Sequence, residues 1–138
     1  MAMEKPFLPA FFHQMNKLMM EEHLKILSSY ELTRVHVPII MTLYENRSGL
    51  YQSELARKLY YNRAHMSRTL KDLVERSFVT LEDTSAYKNR YIISDRGIEV
   101  AEAIKVSGQN IEKRIFSVLT QEEIAEFERI IKRMTKAL

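Results

Sequence analysis

The side chains best suited to chemistry in this 138-residue chain fall in one short run, Arg63-Ala64-His65-Met66-Ser67-Arg68-Thr69-Leu70-Lys71. A guanidinium can grip guanine O6 and N7 as a fork, and a threonine offers a hydroxyl or a methyl to a base edge. The run is set on a helix at about 100° per residue, with Leu70 centred on the buried side. The opposite side then carries His65, Arg68, Asp72 and Glu75, flanked by Ala64, Thr69, Lys71 and Arg76. The candidate contacts in the N-terminal half are Ala64, His65, Arg68 and Thr69, whereas Asp72 and Glu75 read as a solvated surface. Arg63 opens the helix, where a cation opposes the macrodipole, and a phosphate sharing the site would resolve that mismatch.

Other chemistries find little support. The absence of cysteine excludes disulfides, thiolate metal sites and cysteine redox sensing. No Gly-rich phosphate loop, HExxH motif or nucleophile elbow is present, so enzymatic activity is not expected. The histidines His13, His23, His36 and His65 form no pair at helical spacing. Glu21, Glu22 and His23 leave a zinc-sensing regulator as an alternative, against the simpler reading of a solvated helix face. No apolar run approaches the roughly 20 residues that span a bilayer. The segment Met1-Ala2-Met3-Glu4-Lys5-Pro6 lacks the apolar block and cleavage site of a signal peptide. The expectation is a cytoplasmic protein with no membrane partner and no cofactor.

With 46% hydrophobic and 28% charged residues the chain is composed like a soluble globular protein rather than a disordered one. Only 3 Gly and 3 Pro punctuate it, which favours long helices over a large sheet. The net charge of +3 lies entirely within 51–97, which holds 9 basic and 6 acidic residues, whereas the flanking segments balance.

The elements that must position the run follow from periodicity and caps. Leu8, Phe11, Phe12, Met15, Leu18, Met19 and Leu27 line a helix over roughly 8–28, which Pro6 and Pro9 confine to a start at about residue 9 or later. A second helix follows Thr33, begins regularly at about 34–37 with Pro38 in its first turn, and stops at Gly49. Gln52–Leu59 forms a short helix with Leu55, Ala56 and Leu59 inside. Asn62 caps the helix 63–77, whose inner side is Met66, Leu70, Leu73 and Val74, closed by Phe78. Phe78–Leu81 and Arg90–Ile93 are strand-like and flank the polar turn 82–89, which makes a hairpin with Lys88 and Arg90 near its tip. Ser94 or Asp95 caps a long helix with Ile98, Ala101, Ile104, Ile111, Ile115 and Val118 in register. A Thr120/Glu123 capping box opens the last helix, lined by Ile124, Phe127, Ile130, Ile131 and Met134.

Helix, short helix, tight turn, longer helix, hairpin, helix is the order of a winged helix-turn-helix, which places one helix in the DNA major groove. The fold class is mainly α with a small β-hairpin wing. A winged core spans about 32–97, with N- and C-terminal dimerisation helices over about 9–28 and 98–138. Those outer helices carry apolar stripes beyond what a winged core needs, and a two-fold dimer would bury them.

The runs Gln52–Leu59, His65-Met66-Ser67-Arg68, Leu73–Val79 and Ile93-Ser94-Asp95-Arg96-Gly97 resemble the MarR family of transcriptional regulators. The resemblance implies a homodimeric repressor that binds palindromic double-stranded operator DNA and is released by a small ligand. It completes the DNA-contact set as Ser53, Arg63, Ala64, His65, Ser67, Arg68, Thr69, Lys71, Lys88 and Arg90. A ligand would sit among Met15, Met19, His36 and the start of helix 63–77, with no pocket assigned. The family's Asp-x-Arg pair in the wing falls on Ser85 and Tyr87, which leaves Lys88 and Arg90 as substitutes for its arginine. The family's Gly after the recognition helix is Ser77. The competing function class is a winged-helix protein-interaction module of the transcription machinery.

Overall fold

The computed structural model describes residues 6–138, so all but Pro6 of the Met1–Pro6 segment read for a signal peptide lies outside the described residues. Six helices and one hairpin follow in order. They are α1 (Phe7–Ser29), α2 (His36–Glu45), α3 (Gln52–Leu59), α4 (Arg63–Glu75), β1 (Val79–Leu81), β2 (Tyr91–Ile93), α5 (Asp95–Phe116) and α6 (Gln121–Thr135). This is the mainly helical, hairpin-bearing class expected.

Local chemistry explains most of the boundaries. Asn62 Oδ1 accepts from the His65 N–H at 2.7 Å, Ser94 Oγ from Gly97 N–H at 3.1 Å and Thr120 Oγ1 from Glu123 N–H at 3.1 Å. Glu123 Oε1 completes the last cap by accepting from Thr120 N–H at 2.9 Å. Helix α1 begins at Phe7 rather than at about residue 9, because Pro9 is still in the first turn, where its missing N–H has no helical acceptor to lose. Helix α4 stops at Glu75, two residues before the expected 77. Ser77 N–H donates to Val74 O, Phe78 N–H donates to Leu73 O, and Ser77 turns left-handed at φ 66°. Val118 falls beyond the end of α5 and is 83% exposed, so it belongs to no inner stripe.

The core gathers around Ile39, Ile40, Leu43, Leu55, Met66, Leu70, Leu73 and Phe78, all fully buried. Tyr30 meets the Phe78 ring edge-on at 6.1 Å, and the Arg96 guanidinium lies 4.3 Å over its face. Strands β1 and β2 pair antiparallel with Val79 opposite Ile93. Leu50, assigned to no element from the sequence, adds a bridge by exchanging both backbone hydrogen bonds with Tyr91, at 2.8 and 3.0 Å. Gly49 therefore does more than stop α2. It sits at φ 97°, and a Cβ there would meet Tyr91 O at 2.9 Å.

Helix α1 packs along α5, and α2 packs against α5, α3 and β2. The outer stripes stay largely uncovered: Phe7 and Phe12 on α1 are 61% and 59% exposed, and α6 buries no residue. Phe116 and Phe127 make an edge-to-face contact at 5.9 Å between α5 and α6.

Candidate nucleic-acid interface

Helix α4 keeps Met66, Leu70 and Leu73 fully buried, which turns Arg63, Ala64, Ser67, Arg68 and Lys71 outward as exposed side chains. The exposed side and the buried side are what the 100° spacing requires. His65 is half-buried with its ring 4.8 Å from that of Tyr61. Tyr61 in turn donates its hydroxyl to Val35 O at 3.2 Å, which ties the turn before α4 to the start of α2, and burial raises its pKa.

Thr69 is a correction to the expected set. It is 7% exposed, and its hydroxyl donates to His65 O at 2.8 Å, so it presents neither group to a ligand. Arg90 is the second correction. Its Nε and Nη2 donate to Glu82 Oε1 at 3.0 and 2.7 Å, while its own backbone N–H donates to Glu82 Oε2 at 2.8 Å. The guanidinium is thereby paired with a carboxylate inside the wing, although its side chain stays 41% exposed.

Three expected residues from separate elements meet in one place. Ser53 of α3, Arg63 of α4 and Lys88 of the wing line a groove of about 800 Å³, with Tyr51, Gln52, Ala56, Leu81, Tyr87, Asn89 and Tyr91. Among the described residues Arg63, Arg68, Lys71 and Lys88 join no ion pair, so their charge is available to an anion. Sequence reasoning met Tyr87 only as the place where the family's wing arginine is missing and did not count it among the contacts. It also passed over Tyr51 and Gln52, which gave no signal because they belong to the start of a helix read for its inner side.

The far end of α4 is anchored by polar contacts. Asp72, expected to be merely solvated, accepts from His36 Nε2 at 2.8 Å and from Arg76 Nη2 at 3.2 Å. Thr33 N–H can only donate, so His36 Nδ1 accepts it at 3.0 Å and the ring hydrogen lies on Nε2. Arg76 Nη1 also reaches Glu31 O at 2.6 Å. Together these contacts hold α4 against the α1–α2 junction.

The residues suggested for a small ligand do not converge. Met15 and Met19 line a shallow depression on α1 with Phe12 and His13, whereas His36 is 6% exposed and bonded to Thr33 and Asp72. Glu21, Glu22 and His23 do not form a metal cluster, and none exists among the described residues. Burial lowers the pKa of His23. No helix among the described residues is long and apolar enough to cross a membrane.

Residues 30–86 match the model of the MarR family. No curated protein matches the chain in sequence. Among solved structures, MarR is 21% identical, with 99% of this chain and 93% of that one covered at a TM-score of 0.77. A mutant MepR from a multidrug-resistant S. aureus clinical isolate is 19% identical, covering 98% and 99% at 0.77. The S. aureus MepR–DNA complex is 19% identical, covering 94% and 97% at 0.70. At such identities the likeness over nearly the whole chain is one of fold, and the match over 30–86 supplies the sequence link. The chain therefore has the fold of the MarR winged helix-turn-helix regulators, and the model of that family matches residues 30–86 of its 138.

Proposed function

We propose that the chain is a sequence-specific, homodimeric DNA-binding regulator that represses from palindromic operators and is released by a small ligand. The observation that carries the DNA reading is the outward side of α4, where Arg63, Ser67, Arg68 and Lys71 are exposed opposite a fully buried apolar side. The groove shared by Ser53, Arg63 and Lys88 supports it, because cations and a hydroxyl from three elements suit a phosphate backbone. In this reading 32–97 is the DNA-binding core, and α1, α5 and α6 pair two protomers. Two copies of α4 would then be set about one DNA turn apart, ~34 Å. The S. aureus MepR–DNA complex, a structure of the same fold, lends DNA binding further support. Repression and ligand release extend this reading through the family.

Selection of bound sequences from a random duplex pool should return a two-fold repeat with its half-sites about one helical turn apart. On the selected duplex, Arg68→Ala should cost ~1–3 kcal/mol and relax preference at one base position in each half-site. A pool that yields no enriched sequence would refute the proposal.

A further inference from the structure

The wing tip, 82–90, carries four charged side chains, Glu82, Asp83, Lys88 and Arg90. Arg90 has both of its bonded nitrogens on Glu82, and the same carboxylate holds its backbone N–H, so moving that guanidinium to DNA would disrupt a three-bond clamp in the wing. The tip itself is shaped locally: Thr84 Oγ1 donates to Asn89 Oδ1 and accepts from Ala86 N–H at 3.2 Å. That turn leaves Tyr87 97% exposed, beside exposed Lys88, on the rim of the groove that Arg63 and Ser53 line from the other side.

We infer that Tyr87 is the wing's contact to DNA, its ring against the sugar walls of the minor groove and its hydroxyl on a base acceptor. This rests on the DNA-binding reading of the same face. A side chain that is almost wholly solvated gives up no protein contact when it docks, in contrast to Arg90. The minor-groove edges of A·T pairs offer acceptors at adenine N3 and thymine O2, which a phenol can meet by donating. Side chains that enter this groove are often apolar wedges, and a tyrosine combines such a ring with a polar tip. Charge complementarity argues for a duplex as the occupant, because Arg63 and Lys88 line the same groove and are free of ion pairs among the described residues. A neutral ring displaces no counterion. Tyr87 should therefore add affinity that salt does not remove, whereas Lys88 adds affinity that salt does remove.

The test measures binding of the full chain to its selected duplex across a range of salt concentrations. Tyr87→Ala should weaken binding about tenfold at every salt concentration and leave the slope of log K against log salt unchanged. Tyr87→Phe should lose part of that, because it keeps the ring. Lys88→Ala should instead flatten the slope by about 0.9. If Tyr87→Ala binds within twofold of the parent while Arg68→Ala is weakened, the assignment of Tyr87 is wrong and the DNA reading stands. If neither variant differs from the parent, the assignment of the α4 side as the contact falls and takes this inference with it, and a pool that yields no enriched sequence overturns the DNA reading itself. A slope that flattens in Tyr87→Ala as it does in Lys88→Ala also overturns the inference, since the ring would then be acting only by placing the neighbouring cation.

Discussion

Both oxygens of Glu82 face Arg90, one toward the guanidinium and one toward the backbone N–H. Those hydrogen bonds, side chain first, hold the Glu82 pKa below its ordinary value, and the pair raises that of Arg90. Because the folded-state value is the lower one, the clamp stabilises the wing fully above the range in which an unfolded glutamate titrates. It is lost as pH falls through the folded value. A carboxyl NMR titration should place the Glu82 midpoint below 4.5, the ordinary value, and Arg90→Ala should bring it back up. A midpoint at or above the ordinary value in the parent would contradict the clamp. Residue placement was legible where the helix angle left no choice, as for Arg68 opposite Leu70. Thr69 lies about 100° from the buried centre, where spacing cannot choose a side, and its hydroxyl finds His65 O without needing solvent.

The elements are joined by close backbone approaches as much as by side chains. The start of α5 passes against the end of α4, with Ser94 N–H donating to Phe78 O at 3.1 Å and Ser94 Oγ to Ser77 O at 2.6 Å. A Cβ at Gly97 would collide with the Phe78 carbonyl and meet the Ile93 side chain at 2.7 Å, so only glycine lets α5 leave the wing at this angle. Gly97→Ala should cost about 2–3 kcal/mol in urea unfolding at matched protein concentration, and a loss under ~0.5 kcal/mol would show that the junction can shift. Caps such as Asn62, Ser94 and Thr120 were readable because donor and acceptor lie within three residues of each other. The Leu50–Tyr91 bridge and the need for glycine at 97 depend on strands and carbonyls brought in from elsewhere in the chain.

For the whole molecule, the uncovered apolar side chains are concentrated at its two outer helices. Phe127, Ile130, Ile131 and Met134 of α6 are 39%, 39%, 42% and 46% exposed, and α1 adds Phe7, Phe11 and Phe12. A stripe of that kind on a charged helix is what a two-fold interface would cover. Ile131→Asp should weaken self-association by ~2–4 kcal/mol, roughly 30- to 1,000-fold, in sedimentation equilibrium, with the helical circular dichroism unchanged. A parent protein that sediments as a monomer at micromolar concentration would remove the dimer from the reading.

Read alone, the amino-acid order determined what depends on neighbours along the chain: helix periods, caps, the hairpin's composition and the side of α4 that carries Arg68. Only the tertiary structure decided which of those polar groups remain free. Asp72 is drawn to His36 across 36 positions and Arg90 to Glu82 across the hairpin, while Tyr87 and Lys88 of the wing meet Arg63 of α4 in one groove. The reason is that a charge or hydroxyl is available to a ligand only if no partner reaches it first, and those partners are set by packing rather than by sequence distance.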